Sequence, residues 1–133
     1  LRLTLKIMNQ RASLLIGALV GLLGVALGAF GAHALKDMLL ASGRSDTYEL
    51  AVRYQFYHAF ALLVVGILQH YMISKYLKTA SIFFLTGILL FSGSLYMLCF
   101  SGSTAFAMVT PFGGVLLIFG WVFLALGVFN GKK

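Results

Sequence analysis

The stretch GALVGLLGVALGAFG at residues 17–31 carries a glycine at every third or fourth position. At 3.6 residues per turn, this spacing puts the glycines on one face of a helix. In water each interior glycine costs a helix about 1 kcal/mol relative to alanine, whereas in a bilayer a bare face lets two backbones touch. The pattern therefore predicts a closely packed membrane helix, with a packing face formed by Gly17, Gly21, Gly24, Gly28 and Gly31.

Composition extends this prediction to the whole chain. Hydrophobic residues make up 61% of the 133 positions, and only three residues are acidic. Each apolar segment is close to the roughly 20 residues that a helix needs to cross a bilayer. The predicted fold is an all-α integral membrane protein, a four-helix transmembrane bundle. We expect one domain over residues 12–129 with spans at 12–35, 51–73, 80–101 and 111–129, a basic N-terminal segment at 1–11 and a basic tail at 130–133.

Basic residues cluster at alternate ends of these spans. They precede the first span, separate the second from the third, and close the chain, at Arg2, Lys6, Arg11, Lys75, Lys78, Lys132 and Lys133. The positive-inside rule therefore predicts cytoplasmic termini and a multi-pass protein of the bacterial inner (plasma) membrane, although a mitochondrial inner membrane imposes the same physical requirements. Because these cations flank membrane spans, we expect them to meet anionic lipid headgroups rather than nucleic acid.

The first span superficially resembles a signal peptide, because a basic start and an apolar run precede Ala32-His33-Ala34. The run is longer than the 7–15 residues that are typical of such a segment, and three further spans follow. We therefore expect it to remain as a span. Met8 is a candidate initiator.

The connections contain helix start and stop signals. Ser42-Gly43 predicts the end of a short helix after the first span, and Ser45 is the expected cap of the second. Thr110 is the expected cap of the fourth span, with Pro111 at its first position. Near the start of the second span, Glu49 and Arg53 have the four-residue spacing of a surface ion pair.

Two further stripes predict contacts between helices. The fourth span carries glycines seven residues apart, and the third carries polar side chains. Because the first and fourth spans close the ring of a simple bundle, we expect their glycine faces to meet there, or to hold two protomers together. For the third span we expect interhelical hydrogen bonds. The stripes are Gly113, Gly120 and Gly127 in the fourth span, and Ser92, Tyr96 and Cys99 in the third.

A polar and aromatic cluster is the candidate ligand or partner site. His33 lies near the end of the first span and His58 about two turns into the second, so a hairpin is expected to bring them to similar depth. An ionisable residue at membrane depth is a functional hypothesis by default. Structural hydrogen bonding, a ligand or partner pocket, and paired haem or metal ligation are the three interpretations. The site comprises His33, Lys36, Tyr54, Gln55, Tyr57 and His58.

This sequence lacks the residue combinations that usually perform catalysis. The single Cys99 excludes an internal disulfide and a cysteine-based metal cluster, and no acidic residue lies within an apolar segment to relay protons. We therefore expect no enzymatic activity, no catalytic residues, no metal and no cofactor.

Two motifs resemble a known family. They are Gly28-Ala-Phe-Gly-Ala-His33, followed by Ala34-Leu35-Lys36, and Tyr54-x-x-Tyr57-His58-Ala59. The chain resembles the YgdD/YwdK family, the domain-of-unknown-function family numbered 423, over residues 8–129. The resemblance implies a small four-span inner-membrane protein without an established reaction. Its signature positions correspond here to Gly28, Gly31, His33, Lys36, Tyr54 and His58.

Three classes of function remain open from the sequence. The first is a non-enzymatic accessory subunit of a larger membrane complex, or a membrane-integrity factor. The second is a small oligomeric transporter or pore lined by Ser92, Tyr96, Gln55 and His58. The third is a haem- or quinone-binding redox protein that uses His33 and His58. The expected partners are membrane lipids, together with a larger complex or further copies of the chain.

Overall fold

A computed structural model describes residues 8–132, and these residues form four long helices and one short helix. The long helices have 23 to 27 residues, and each is apolar and long enough to cross a membrane. The predicted all-helical membrane fold is therefore confirmed. Arg2, Lys6 and Lys133 lie outside the described residues. The helices are α1 (Gln10–Ala32), α2 (Lys36–Ala41), α3 (Ser45–Tyr71), α4 (Lys75–Ser101) and α5 (Ala105–Asn130).

Polar side chains set two of the helix starts ahead of the apolar segments. The Asn9 side chain accepts a hydrogen bond from the Ala12 amide at 2.9 Å, which caps α1. The Ser74 hydroxyl accepts one from the Tyr76 amide at 3.3 Å, and α4 consequently begins at Lys75 rather than near residue 80. These two helices thus begin before the predicted spans, α1 by two residues and α4 by five.

The region between the first two spans contains the predicted short helix. That helix, α2, ends at Ala41, and Gly43 follows with φ of +65°, a left-handed conformation that favours glycine. The stop signal at Ser42-Gly43 is confirmed. The first span, however, ends at Ala32 rather than Leu35, because the chain turns where the Leu35 amide donates to the Phe30 carbonyl.

Two predicted caps are wrong. Ser45 is the first residue of α3, Arg44 occupies the cap position, and no side chain there bonds to the helix start. Helix α5 begins at Ala105, so Pro111 lies inside it, and the Thr110 hydroxyl contacts Ser94 Oγ at 2.7 Å. The residues before Pro111 are apolar, and helical hydrogen bonds satisfy their backbone groups near lipid. The proline has no N–H to donate to the ladder, and the helix continues past it to Asn130.

Each long helix packs mainly on its neighbour in the chain: α1 on α3, α3 on α4 and α4 on α5. The prediction that the glycine faces of the first and fourth spans meet is wrong, because α1 and α5 share no comparable close packing. The connections at residues 72–74 and 102–104 are too short to do anything but place successive helices side by side. Side chains of those neighbours, and at Gly113 the backbone of α4, pack against most of these glycines instead.

The glycine face of α1 lies against α3. A Cβ atom at Gly17 would meet Leu63 at 3.0 Å, and one at Gly24 would meet Phe56 at 3.0 Å. Gly28 faces Val52, and Gly31 lies directly under the Tyr48 ring. Large side chains of α3 therefore occupy the space that these four glycines leave.

Gly21 does not take part in this packing, since a Cβ there would meet nothing within 4 Å. At 3.6 residues per turn, Gly21 lies about 40° to one side of Gly17, whereas Gly24 and Gly31 lie about 20° and 40° to the other side. Gly28 lies about 20° to the same side as Gly21 and meets Val52 only at 3.5 Å, so the closest contacts with α3 fall at Gly17 and on the other side. The predicted stripe is thus wider than the interface that it forms.

The glycines of α5 face α4. Gly113 lies against the backbone at Leu90 and Phe91, Gly120 lies under Phe84, and Gly127 lies under Leu77. Around these contacts, α3, α4 and α5 enclose a core of completely buried side chains that includes Leu62, Val65, Leu77 and Phe84.

The two ends of the bundle differ in charge. The turn after α3 pairs with the C-terminal segment, since the Ile73 amide donates to the Lys132 carbonyl at 2.9 Å. The start of α1 lies at the same end, which places Arg11, Lys75, Lys78 and Lys132 there. The opposite end carries α2 and all three acidic residues. Cytoplasmic termini remain a prediction from this asymmetry.

Candidate functional site

Gln55 lies at the centre of a polar cluster between three helices. Its side-chain amide donates to the Val20 carbonyl of α1 at 2.9 Å, and its oxygen accepts from the Tyr96 hydroxyl of α4 at 2.7 Å. Gln55 is buried, so both bonds form away from lipid and water. One side chain of α3 therefore joins α1 and α4.

The polar stripe on α4 makes the interhelical bonds expected of it. The Ser92 hydroxyl donates to the Ala51 carbonyl at 2.7 Å, and the Cys99 thiol lies 3.8 Å from the Arg44 carbonyl. Together with Tyr96, these residues bond to α3 or to its cap. The prediction of interhelical hydrogen bonding by this stripe is confirmed.

His58 is buried, and both of its ring nitrogens are engaged. Nδ1 is 2.7 Å from the Tyr54 carbonyl, and Nε2 is 3.2 Å from the indole nitrogen of Trp121 in α5. A carbonyl only accepts and an indole N–H only donates, so Nδ1 carries the proton and Nε2 accepts. His58 is thus a neutral link between α3 and α5.

The two tyrosines beside His58 point to different surroundings. The Tyr54 ring stacks on Phe91 with a centroid distance of 4.6 Å, whereas Tyr57 is exposed on the outside of the bundle. Tyr54 therefore belongs to the helix contact between α3 and α4, and Tyr57 to the lipid-facing surface.

His33 and Lys36 lie far from this cluster. Both are exposed at the end of the bundle, where α1 gives way to α2. Gly31 of α1 is level with Tyr48 of α3, and His58 follows Tyr48 by ten residues, which is about 15 Å along the helix. The predicted similar depth of His33 and His58 is wrong, because α3 begins at Ser45 and His58 therefore lies almost four turns into it.

A groove between α1, α2 and α3 brings Lys36 together with Gly28, Gly31 and the Glu49–Arg53 pair. This α1–α3 groove has a volume of about 550 Å³. Tyr48 and Val52, which pack against Gly31 and Gly28, form its floor. Tyr48 is held in place by its hydroxyl, which donates to the Leu27 carbonyl at 2.7 Å. The polar residues that line the groove are Lys36, Ser45, Glu49 and Arg53.

Arg53 and Glu49 form the ion pair that their spacing predicts, with nitrogen and oxygen 3.7 Å apart. Both side chains are more than half exposed, so the pair contributes at most a few tenths of a kcal/mol. Lys36 lines the same groove and forms no salt bridge with any residue between 8 and 132. The groove consequently combines an apolar floor with a rim that carries one more positive than negative charge.

Metal chemistry lacks a set of ligands in the part of the chain that the structure describes. There, no three histidine, cysteine or acidic side chains lie close enough to hold one ion. The paired-histidine interpretation does not fit either, since His33 is distant and both nitrogens of His58 are engaged.

Sequence reasoning missed Trp121 and Tyr48 as parts of these two regions. Trp121 carried a usable signal, because it is the only tryptophan and lies well inside an apolar span rather than at an interface, where tryptophan is common. Tyr48 carried none, since its place over Gly31 depends on the turn that precedes α3. Sequence reasoning also missed the polar residues Ser13, Gln69 and Ser81, which meet between α1, α3 and α4.

The four spans, the polar links between them and the lipid-facing outer surface define a small integral membrane protein. The chain matches the model of the family described as "Protein of unknown function (DUF423)" over residues 27–114, which is more than half of its length. It belongs to that family.

Curated relatives cover almost the whole chain. A UPF0382 membrane protein of Haemophilus influenzae is 42% identical over 87% of this chain and 92% of its own length. A UPF0382 membrane protein of Staphylococcus saprophyticus is 40% identical, over 91% and 99% respectively. The UPF0382 inner membrane protein YgdD of Escherichia coli K12 is 36% identical over 95% of both chains. No solved structure matches the chain. The protein is thus a multi-pass protein of the bacterial inner membrane.

Proposed function

We propose that this chain is a non-enzymatic accessory subunit of a larger membrane complex, and that its partner binds in the α1–α3 groove. The observation that carries this proposal is that polar side chains inside the bundle are hydrogen-bonded, whereas those in the groove are accessible. Inside the bundle, Gln55, Ser92 and His58 bond to neighbouring helices. In the groove, Lys36 and the exposed Arg53–Glu49 pair remain accessible.

The shape and charge of the groove indicate the chemistry of the partner. Its floor, at Tyr48 and Val52, is an apolar surface against which an apolar side chain of a partner can pack. Its rim, at Lys36 and Arg53, favours a carboxylate, because these two cations have only one acidic side chain, Glu49, beside them in the groove. A membrane helix of another protein that presents an apolar side chain near a carboxylate fits both features.

The same geometry argues against the other two classes. The polar residues expected to line a pore are bonded within the bundle, so a conduction path through them would have to break those bonds. His33 and His58, which the haem interpretation pairs, are about 15 Å apart along the helix axis.

Site-specific photocrosslinking in native membranes tests the proposal. We expect a photoreactive residue at Leu40, an exposed position in the groove, to give a discrete crosslinked product with another membrane protein. The substitution Gly28→Leu should remove this product, because its side chain would extend over Val52 and occupy the floor of the groove. Gly21→Leu is the matched control on the same helix, because its side chain enters open space.

Products that contain only lipid, or only a second copy of this chain, would contradict the accessory role. The first would favour a membrane-integrity factor and the second a homo-oligomer. Gel filtration of both glycine variants checks that they remain folded.

A further inference from the structure

A second cavity lies at the basic end of the bundle, opposite the α1–α3 groove. It has a volume of about 650 Å³ and opens between the start of α1, the end of α3 and the start of α4. We refer to it as the basic-end cavity. Residues that line it include Asn9, Gln10, Gln69, Met72, Lys75 and Lys78.

The charge in this cavity is positive. Lys75 and Lys78 come from the first turns of α4, where the helix dipole adds further positive potential. The three acidic residues of the chain all lie between residues 37 and 49, at the opposite end of the bundle. Among residues 8–132, Arg53 and Glu49 form the only salt bridge, so neither lysine is paired with an acid there. The cavity therefore favours an anion.

A buried polar group at the same place needs a hydrogen-bond donor. The side-chain amide nitrogen of Gln69 is 3.4 Å from the hydroxyls of Ser13 and Ser81, which are themselves 2.9 Å apart. The side-chain oxygen of Gln69 is buried and accepts no hydrogen bond from any residue between 8 and 132. Rotating the amide would leave its nitrogen unpaired instead, and a hydroxyl, which both donates and accepts, satisfies either orientation. Buried polar atoms are normally bonded, so this end of the amide indicates a polar partner that residues 8–132 do not supply.

A surface with two leucines continues from this cavity along α1. A neighbouring cavity of about 520 Å³ shares Gln10 with it and is lined by Arg11, Leu14 and Leu15. Its exposed leucine side chain at residue 15 faces the hydrocarbon. An amphiphile with its polar group at Lys75 and Lys78 can therefore lay an acyl chain against α1.

We propose that the basic-end cavity binds an anionic phospholipid whose headgroup carries a hydroxyl, of the phosphatidylglycerol type. The phosphodiester lies between Lys75 and Lys78, and the headgroup hydroxyl donates to the side-chain oxygen of Gln69. Two positive charges without an acid select the anion. The unpaired oxygen of Gln69 selects the hydroxyl.

Native mass spectrometry of the full chain in a non-ionic detergent tests this with three lipids. Phosphatidylglycerol has both features, phosphatidylmethanol keeps the negative charge without a headgroup hydroxyl, and phosphatidylcholine has no net charge. We expect phosphatidylglycerol to bind about 125-fold more tightly than phosphatidylcholine, at roughly fivefold for each lysine and fivefold for the hydroxyl that phosphatidylcholine also lacks. It should bind about fivefold more tightly than phosphatidylmethanol, which lacks one hydrogen bond.

Variants assign these preferences to residues. Lys75→Ala/Lys78→Ala should abolish the preference for anionic lipids, and Gln69→Leu should abolish only the difference between phosphatidylglycerol and phosphatidylmethanol. Lys36→Ala/Arg53→Ala removes the same number of cations from the opposite end, and should leave lipid binding unchanged. Gel filtration checks the folding of each variant. The comparison of the three lipids uses the unaltered chain and needs no such check.

Three results would overturn the proposal. Equal binding of the three lipids removes the site, and equal losses in both double variants reduce it to general surface charge. Displacement of the lipid by millimolar inorganic phosphate would indicate a site for a free anion. None of these results bears on crosslinking from Leu40, so this site and the proposed partner groove can fail separately.

Discussion

At the scale of single residues, Gln55 joins three helices, which its place in an apolar helix does not suggest. Its amide has two ends of opposite character, and each end meets a different helix, at the Val20 carbonyl and the Tyr96 hydroxyl. Removing the side chain would leave a tyrosine hydroxyl buried without an acceptor, which costs more than the lost bond is worth.

A double-mutant cycle measures this link. Gln55→Leu and Tyr96→Phe each remove one partner, and the double variant removes both. We expect the two losses of unfolding free energy to be non-additive by about 0.6 kcal/mol, the usual scale for hydrogen bonds between membrane helices. Unfolding in mixed micelles with increasing dodecyl sulfate gives the four values. Strictly additive losses would show that the 2.7 Å contact contributes nothing.

The residue scale is also where the candidate site could be predicted least well. The sequence motif Tyr54-x-x-Tyr57-His58 indicated a cluster, but Tyr57 faces outward and Tyr54 stacks on Phe91. The direction of each side chain depends on which neighbour approaches α3, and that neighbour is decided by packing. The indole of Trp121, which bonds to His58, comes from a helix 63 residues further along the chain.

At the scale of helices, glycine spacing predicted that a face would pack without predicting what would pack there. The four glycines of α1 that contact α3 meet large side chains, and Gly113 of α5 meets the backbone of α4. A bare face is a concave surface, and a protruding leucine, phenylalanine or tyrosine fills it better than another bare face does. Gly66 and Gly87 do the same for Leu14 and Leu117, although neither belongs to a regular stripe.

Two adjacent glycines of α5 offer a matched test of this packing. A Cβ at Gly113 would run into the backbone of Leu90 and Phe91, which no side-chain rotation can relieve, whereas one at Gly114 would sit 3.6 Å from the Phe91 ring. We expect Gly113→Ala to lower the unfolding free energy by about 1–3 kcal/mol. Gly114→Ala should change it by less than about 0.5 kcal/mol.

The same unfolding assay in mixed micelles compares the two variants. Equal effects would mean that the close contact between α4 and α5 is absent in the folded protein. Far-ultraviolet circular dichroism of both variants confirms that helix content is retained.

At the scale of the whole molecule, composition and charge were sufficient for the fold. Four apolar segments predicted four spanning helices, because lipid offers no alternative partner for backbone groups. The order of packing was less accessible: a closed ring and a sequential arrangement have the same apolar segments. The charge asymmetry between the ends was visible in the sequence. The pairing of Ile73 with Lys132 brings the C-terminal cation to the end that carries the cations of the turn after α3.

Orientation in the membrane follows from that asymmetry and is directly measurable. In a background in which the buried Cys99 is replaced by alanine, single cysteines at Ser103 and Asn130 report on opposite ends. We expect an impermeant thiol reagent to label Ser103→Cys in intact cells, after the outer membrane is opened where one is present. Asn130→Cys should react only after lysis, because the basic end stays cytoplasmic. The reverse pattern would contradict the positive-inside prediction.

The arrangement in which each long helix leans mainly on its predecessor has a consequence for how the protein is made. As the ribosome delivers the chain into the membrane, α3 finds α1 already inserted, α4 finds α3, and α5 finds α4. No interface has to wait for the last helix to return to the first, so most contacts join segments that are near in sequence, which favours fast assembly. Synthesis and assembly can therefore proceed in the same direction, one hairpin at a time.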